Sequence, residues 1–149
     1  MATLTVTIKE DVLLNGVHRG SENVLDVASI TEVYSRIVDV VSTGDTEVLK
    51  FDTANGAGTI TRSGLKYLRF TNLSTTSANT ITLSIEDTDT DQYFVKIGAG
   101  ESFILTNTDI EANDANPSIA IGAFSGSIDL IMAKAAAGTP QMEVFAAMS

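Results

Sequence analysis

Short runs in which apolar and polar side chains alternate fill most of this chain, and that period of two restricts the fold more than any other feature. A strand points successive side chains to opposite faces, whereas a helix brings them round every 3.6 residues. In "TLTVTIK" the alternation puts Leu4, Val6 and Ile8 on one face and Thr3, Thr5 and Thr7 on the other. "NTITLSIED" offers Ile81, Leu83 and Ile85 to an interior, "QYFVKIG" offers Tyr93, Val95 and Ile97, and "ESFILT" offers Phe103 and Leu105. Near the end, "GSIDLIMAK" presents Ile128, Leu130 and Met132, and "QMEVFAAMS" presents Met142, Val144 and Ala146. Thr, Val and Ile dominate these runs, as suits a pleated, half-buried surface.

Turn signals separate the runs: Asn15-Gly16, "STGD" (42–45), "NGAG" (55–58), "STTSAN" (74–79), "EDTDTD" (86–91) and "AGTP" (137–140). These residue types tolerate positive φ or bond their own backbone. The spacing gives roughly nine or ten short strands, enough for two packed sheets. No internal repeat and no Pro- or Gly-rich linker divides the chain, so the expectation is one all-β domain over 1–149, a two-sheet antiparallel β-sandwich.

One segment competes with this reading. In "SITEVYSRIVDVV", Ile30, Val33, Tyr34, Ile37, Val38 and Val41 recur at helical spacing, and Ser29-x-x-Glu32 has the form of a capping box. Its many β-branched residues, and the direct run into "STGDTEVLKF", which reads as a hairpin, weigh toward β. The favoured reading is a strand from about Val33, with one helical turn before it left open.

Composition narrows function by exclusion. The chain has 149 residues, 44% of them hydrophobic, which is enough for a sizeable core. Its formal net charge is −10 and its Lys and Arg are scattered, so nucleic acid is not expected as a partner. The same charge favours solubility and a positively charged protein partner. No apolar run approaches the roughly 20 residues that span a bilayer, and no membrane partner is expected. "MATLTVTIKEDV" has no basic region followed by an apolar block, so the expectation is synthesis and folding in a cytoplasm. Cysteine is absent, which removes disulfides, thiolate metal sites and cysteine nucleophiles. Durability without disulfides is then expected from surface buried against copies or partners.

The motifs that could carry chemistry fall short one by one. Gly98-Ala99-Gly100 follows a strand, but Phe103 stands where a dinucleotide fingerprint needs its third glycine, and "ESFILTNT" alternates as a strand. It reads as a hairpin turn. His18 is the only histidine, and no G-x-S-x-G elbow occurs; "AFSGS" has Ala123 at the first glycine. An exposed loop histidine is the reading taken. Asp87, Asp89 and Asp91 open like a calcium loop, but Gln92 replaces its glycine and Gly98 its bidentate glutamate. With Glu86 they read as a solvated loop, weak Ca²⁺ binding being the alternative. Carboxylate pairs for glycoside hydrolysis lack the aromatic platforms that accompany sugars: there is no Trp, and Tyr67 and Tyr93 fit core positions. Asn72-Leu73-Ser74 is a formal glycosylation sequon that carries no weight without a secretory signal.

Three segments together carry a resemblance: "IKEDVLLNGVHRGSENVLDVASITEVYSRIV", "LKYLRFTNLSTTSANTITLSI" and "QYFVKIGAGESFIL". They look like the small all-β virion structural proteins of tailed bacteriophages, several of which are capsid cement or decoration proteins with a jelly-roll-like sandwich. The resemblance implies a protein of the virion that sits on the capsid and binds the major capsid protein, often as a dimer or trimer, with no catalytic residues and no cofactor. For the contact, the candidates are Met142, Phe145 and Met148 in the final run, and Asn15 and His18 in "LLNGVHRGSEN". The final run either completes the chain's own sheet, the favoured reading, or adds to a neighbour's edge.

Cement is therefore the leading expectation. A tail or fibre component engaging host-surface glycans is the alternative, and it requires an open groove lined by exposed aromatic and polar side chains. A cell-encoded β-sandwich adaptor comes third. An enzyme is not expected.

Overall fold

A computed structural model describes residues 1–52, 59–88, 92–106 and 128–149. Among them lie thirteen strands, a single 3-10 turn at Arg62–Gly64 and no α-helix. A five-stranded sheet runs in the order β10 (Gln92–Ile97), β9 (Ile81–Asp87), β12 (Ile128–Ala135), β6 (Thr46–Asp52) and β7 (Thr59–Thr61). A four-stranded sheet runs β11 (Ser102–Leu105), β8 (Leu65–Asn72), β13 (Gln141–Met148) and β5 (Glu32–Asp39). The fold is all-β and sandwich-like, with antiparallel pairing throughout except β6–β7, which is parallel.

The alternating runs explain why the two sheets face each other. Leu49, Phe51, Ile81, Leu83, Ile85 and Ile131 project from the first sheet into the same core as Leu68, Phe70, Met142, Val144 and Ala146 from the second. Burying each large side chain contributes about 1.5–3 kcal/mol. After β5 the chain changes sheet at each link, apart from β6 to β7 and β9 to β10, which stay within one sheet. The runs expected to form hairpins at "STGD" and at Gly98–Gly100 are therefore crossovers: β5 and β6 belong to different sheets, as do β10 and β11. Both turn predictions named the right residues and the wrong partner strand, since a turn sequence fixes local φ and ψ but not which sheet receives the next strand.

The helix-spaced segment is β structure from its start. Strand β4 (Glu22–Ile30) continues through Ser29, whose φ is +64°, and after Thr31 the chain resumes as β5 at Glu32. No helical turn precedes it. Tyr34 and Val38 pack inward while Val33 and Ile37 are exposed, which is a period of two.

One parity differs from the sequence reading. Ile128 is buried, but the register shifts between Ile128 and Leu130, and beyond this bulge Ile131, Ala133 and Ala135 face the core. Leu130 and Met132 turn to the outer face instead. A single extra residue reverses every side chain that follows it.

The first thirty residues stand apart from the sandwich. Strand β1 (Ala2–Lys9) pairs antiparallel with β4, and β2 (Val12–Leu14) pairs with β3 (Val17–Arg19), making a long two-stranded ribbon. Its base rests on the outer face of the four-stranded sheet, where Ile30, Tyr67 and Ala147 are buried and Leu4, Val6, Val27, Ile104 and Phe145 pack around them. Tyr67 and Phe145 meet edge to face, their ring centres 6.1 Å apart.

Candidate functional site

Beyond its base the ribbon has an apolar surface and nothing against it among the described residues. Cross-strand pairing puts Val6 opposite Leu25 and Ile8 opposite Asn23, so the stripe that begins in the satellite cluster continues outward on one face. Ile8 and Leu25 are exposed along it, and Val12, Leu13, Leu14 and Val17 are exposed at the tip, Leu13 by 62%. An isolated two-stranded ribbon is marginally stable in water. Exposed apolar patches are uncommon on the surface of a folded domain.

Two local devices shape the tip. Asn15 and Gly16 have φ of +53° and +76°, the pair of left-handed residues that a two-residue hairpin turn needs to match strand twist. Where the two halves of the ribbon meet, the Glu10 amide donates to the Ser21 carbonyl at 2.8 Å. Gly20 lies so close to that backbone that a Cβ there would fall 2.0 Å from the Glu10 carbonyl oxygen.

Of the residues nominated from sequence, Asn15 and His18 lie on this ribbon and are exposed. His18 Nδ1 is 3.1 Å from Asp11 Oδ1, both groups open to solvent. The nearby Ser21 hydroxyl donates to Glu10 at 3.0 Å and not to the imidazole, so the group has no arranged nucleophile. Met142 and Met148 are corrected: their side chains are in the core, because β13 is an inner strand between β8 and β5 and both residues lie on its buried side. The tail thus completes the chain's own sheet. Phe145 points to the outer face, half-buried beneath the base of the ribbon. The alternation that puts Leu4, Val6 and Ile8 on one face looks the same whether or not a second layer covers that face.

A second feature lies on the opposite side of the molecule. The outer face of the five-stranded sheet forms a trough of about 570 Å³. Its floor is ordered by register: Phe94, Ser84 and Met132 form one rung across β10, β9 and β12, and Gln92, Glu86 and Leu130 form the next. Thr82 and Lys134 make a third. Gln92 Nε2 donates to Glu86 Oε2 at 2.6 Å, and Lys134 faces Asp45 at 3.7 Å. Ser84 Oγ is buried and has no hydrogen-bond partner among the described residues. Phe94 is 60% exposed at the rim.

The acidic run divides. Glu86 belongs to this trough and Asp87 is buried, while Asp89 and Asp91 lie outside the described residues. Among the described residues no three acidic or imidazole groups converge as metal ligands. Asn72, the sequon asparagine, is fully buried and engaged in the core. The turn at "NGAG" and residue Ala123 also lie outside the described residues.

The described residues thus present two distinct surfaces, one apolar and one amphipathic. No family model, curated protein or solved structure matches the chain.

Proposed function

We propose that the chain is a structural virion protein of the capsid cement or decoration type, which binds the outside of a phage capsid lattice and stabilises it. The observation that carries this reading is the ribbon: a long projecting pair of strands with exposed Val12, Leu13, Leu14 and Val17. It is the contact element, and the major capsid protein is its partner. The jelly-roll likeness, the place on the virion and the lack of enzymatic activity all belong to this proposal.

Cement acts by mass action. A protein that binds only the assembled lattice stabilises it by about 2.7 kcal/mol per site at a hundredfold excess over Kd. Repeated over many sites, such increments resist the pressure of packaged DNA, and a net charge of −10 keeps the protein off that DNA. Copies are proposed to associate as dimers or trimers. In support, β5 has a sheet neighbour on one side only among the described residues, with Val33 and Ile37 exposed.

Cosedimentation tests the reading: the chain should pellet with empty capsids and not with isolated tails. Retention on tails alone would reject it in favour of a tail or fibre component that engages glycans. That second reading has its own support in the trough rimmed by Phe94 and Gln92.

A further inference from the structure

We propose that the trough on the outer face of the five-stranded sheet is a binding site for a neutral saccharide. This goes beyond the cement reading, which uses the ribbon, and deepens the glycan reading by naming the class of sugar; it holds whether or not the ribbon docks on a capsid. At about 570 Å³ the trough has the size of an ordinary small-molecule site.

Its chemistry is that of a sugar ring, apolar on one face and ringed by hydroxyls. Phe94 supplies an exposed aromatic face at the rim, and the apolar Met132 stands across Ser84 from it on the same rung. Around it stand short hydrogen-bonding groups: the Thr82 and Ser84 hydroxyls, the Gln92 amide and the Glu86 carboxylate. Gln92 and Glu86 are already bonded to each other at 2.6 Å, which holds the carboxylate in place to accept from a hydroxyl pair. Ser84 Oγ sits in the middle rung, buried and without a hydrogen-bond partner among the described residues; a turn about its χ1 would bring it to a ligand hydroxyl.

Charge selects against the alternatives. Asp45 and Glu86 outnumber Lys134 among the lining residues, and Lys134 faces Asp45. Lys96 and Lys50 lie on the same face, opposite Thr82 and Leu130 in register, but outside the lining, so the trough itself holds no second cation for a phosphate or a uronic acid. Hydroxyl and amide donors suit a polyol better than a quaternary ammonium, which has no hydrogen bonds to exchange. The rungs also limit reach: the lining spans three residues of β9 (Thr82, Ser84 and Glu86), room for one or two sugar units.

The test is a glycan-array screen of the full chain over neutral oligosaccharides, followed by NMR titration of the protein with the strongest binder. Saturable shifts are expected at residues 82–86, 92–96 and 130–134. Phe94→Ala should weaken binding by about tenfold or more. Because Phe94 is exposed, its loss leaves the core intact, and far-UV circular dichroism checks this. Gln92→Ala, an independent lesion, should weaken binding several-fold. Leu13→Ser in the ribbon should leave saccharide affinity unchanged, which separates this site from the capsid contact. An array without neutral binders, shifts mapping elsewhere, unchanged affinity in Phe94→Ala, or a preference for choline or for extended peptides over sugars would each overturn the proposal.

Discussion

The side-chain amide of Asn72, at the end of β8, donates to the carbonyl of Ile97 at 3.4 Å, across to the end of β10 in the facing sheet. It donates again to Asn79 at 2.8 Å, while its own oxygen accepts from the Ser74 amide at 3.1 Å. Through its backbone it also holds the next corner: the Gly100 amide donates to the Asn72 carbonyl at 2.9 Å, and the Asn72 amide to Glu101 at 3.0 Å. One buried polar residue therefore fastens two crossovers between the sheets. Asn72→Ala strips a partner from the buried Ile97 carbonyl and from the part-buried Asn79 carbonyl and Ser74 amide, and should cost about 1–3 kcal/mol. Urea unfolding should show a lower midpoint at an unchanged slope.

The bulge in β12 makes a paired prediction. Ile131 is in the core, so Ile131→Ala should cost about 2–5 kcal/mol. Met132 lines the outer trough, and Met132→Ala should cost about 1 kcal/mol or less. If the alternation ran unbroken from Ile128, the order of the two effects would be reversed.

Tyr67 gives stability an alkaline dependence. Burial raises its phenol above the ordinary value, an effect the nearby Arg69 partly offsets. Between the unfolded and folded values the native state holds the proton more tightly, so stability falls as pH rises past the unfolded value near 10. Chemical denaturation from pH 8 to 11 should show this fall in the parent chain and a shallower one in Tyr67→Phe.

Gly20 tests whether the ribbon is a separate structural unit. A Cβ there would meet the Glu10 backbone, which cannot retreat without breaking the Glu10–Ser21 pairing. Gly20→Ala should speed hydrogen exchange within residues 1–30 and leave the exchange of β9, β12 and β13 unchanged. Slowed or unaltered exchange in the ribbon would mean that the approach at Gly20 is dispensable.

Much of the fold was legible because alternation and turn chemistry are local. Ile81, Leu83 and Ile85 are buried as their pattern predicts, and Asn15-Gly16 makes a turn as expected, though it joins strands β2 and β3, with His18 in β3, where the sequence reads as a loop. What stayed hidden depends on distant residues. "TLTVTIK" alternates like any sandwich strand, yet among the described residues its outer part has no sheet above it, because β1 pairs there with β4 and with no strand of the two main sheets. Met142 and Met148 looked like contact residues at the end of the chain, and only the insertion of β13 between β8 and β5 puts them inside. The trough was out of reach for the same reason: it needs β10, β9 and β12 side by side, and the bulge that turns Met132 outward.

The central claim is that the ribbon's exposed apolar tip is the docking element. The direct measurement is cosedimentation with empty capsids assembled from the major capsid protein of the same genome, comparing the parent chain with Val12→Ser, Leu13→Ser, Leu14→Ser and Val17→Ser combined. These side chains touch no part of the core, so the variant should melt with the parent. The account predicts that the parent pellets with capsids and the variant stays in the supernatant. Equal pelleting of the two, or no pelleting of the parent, would contradict it.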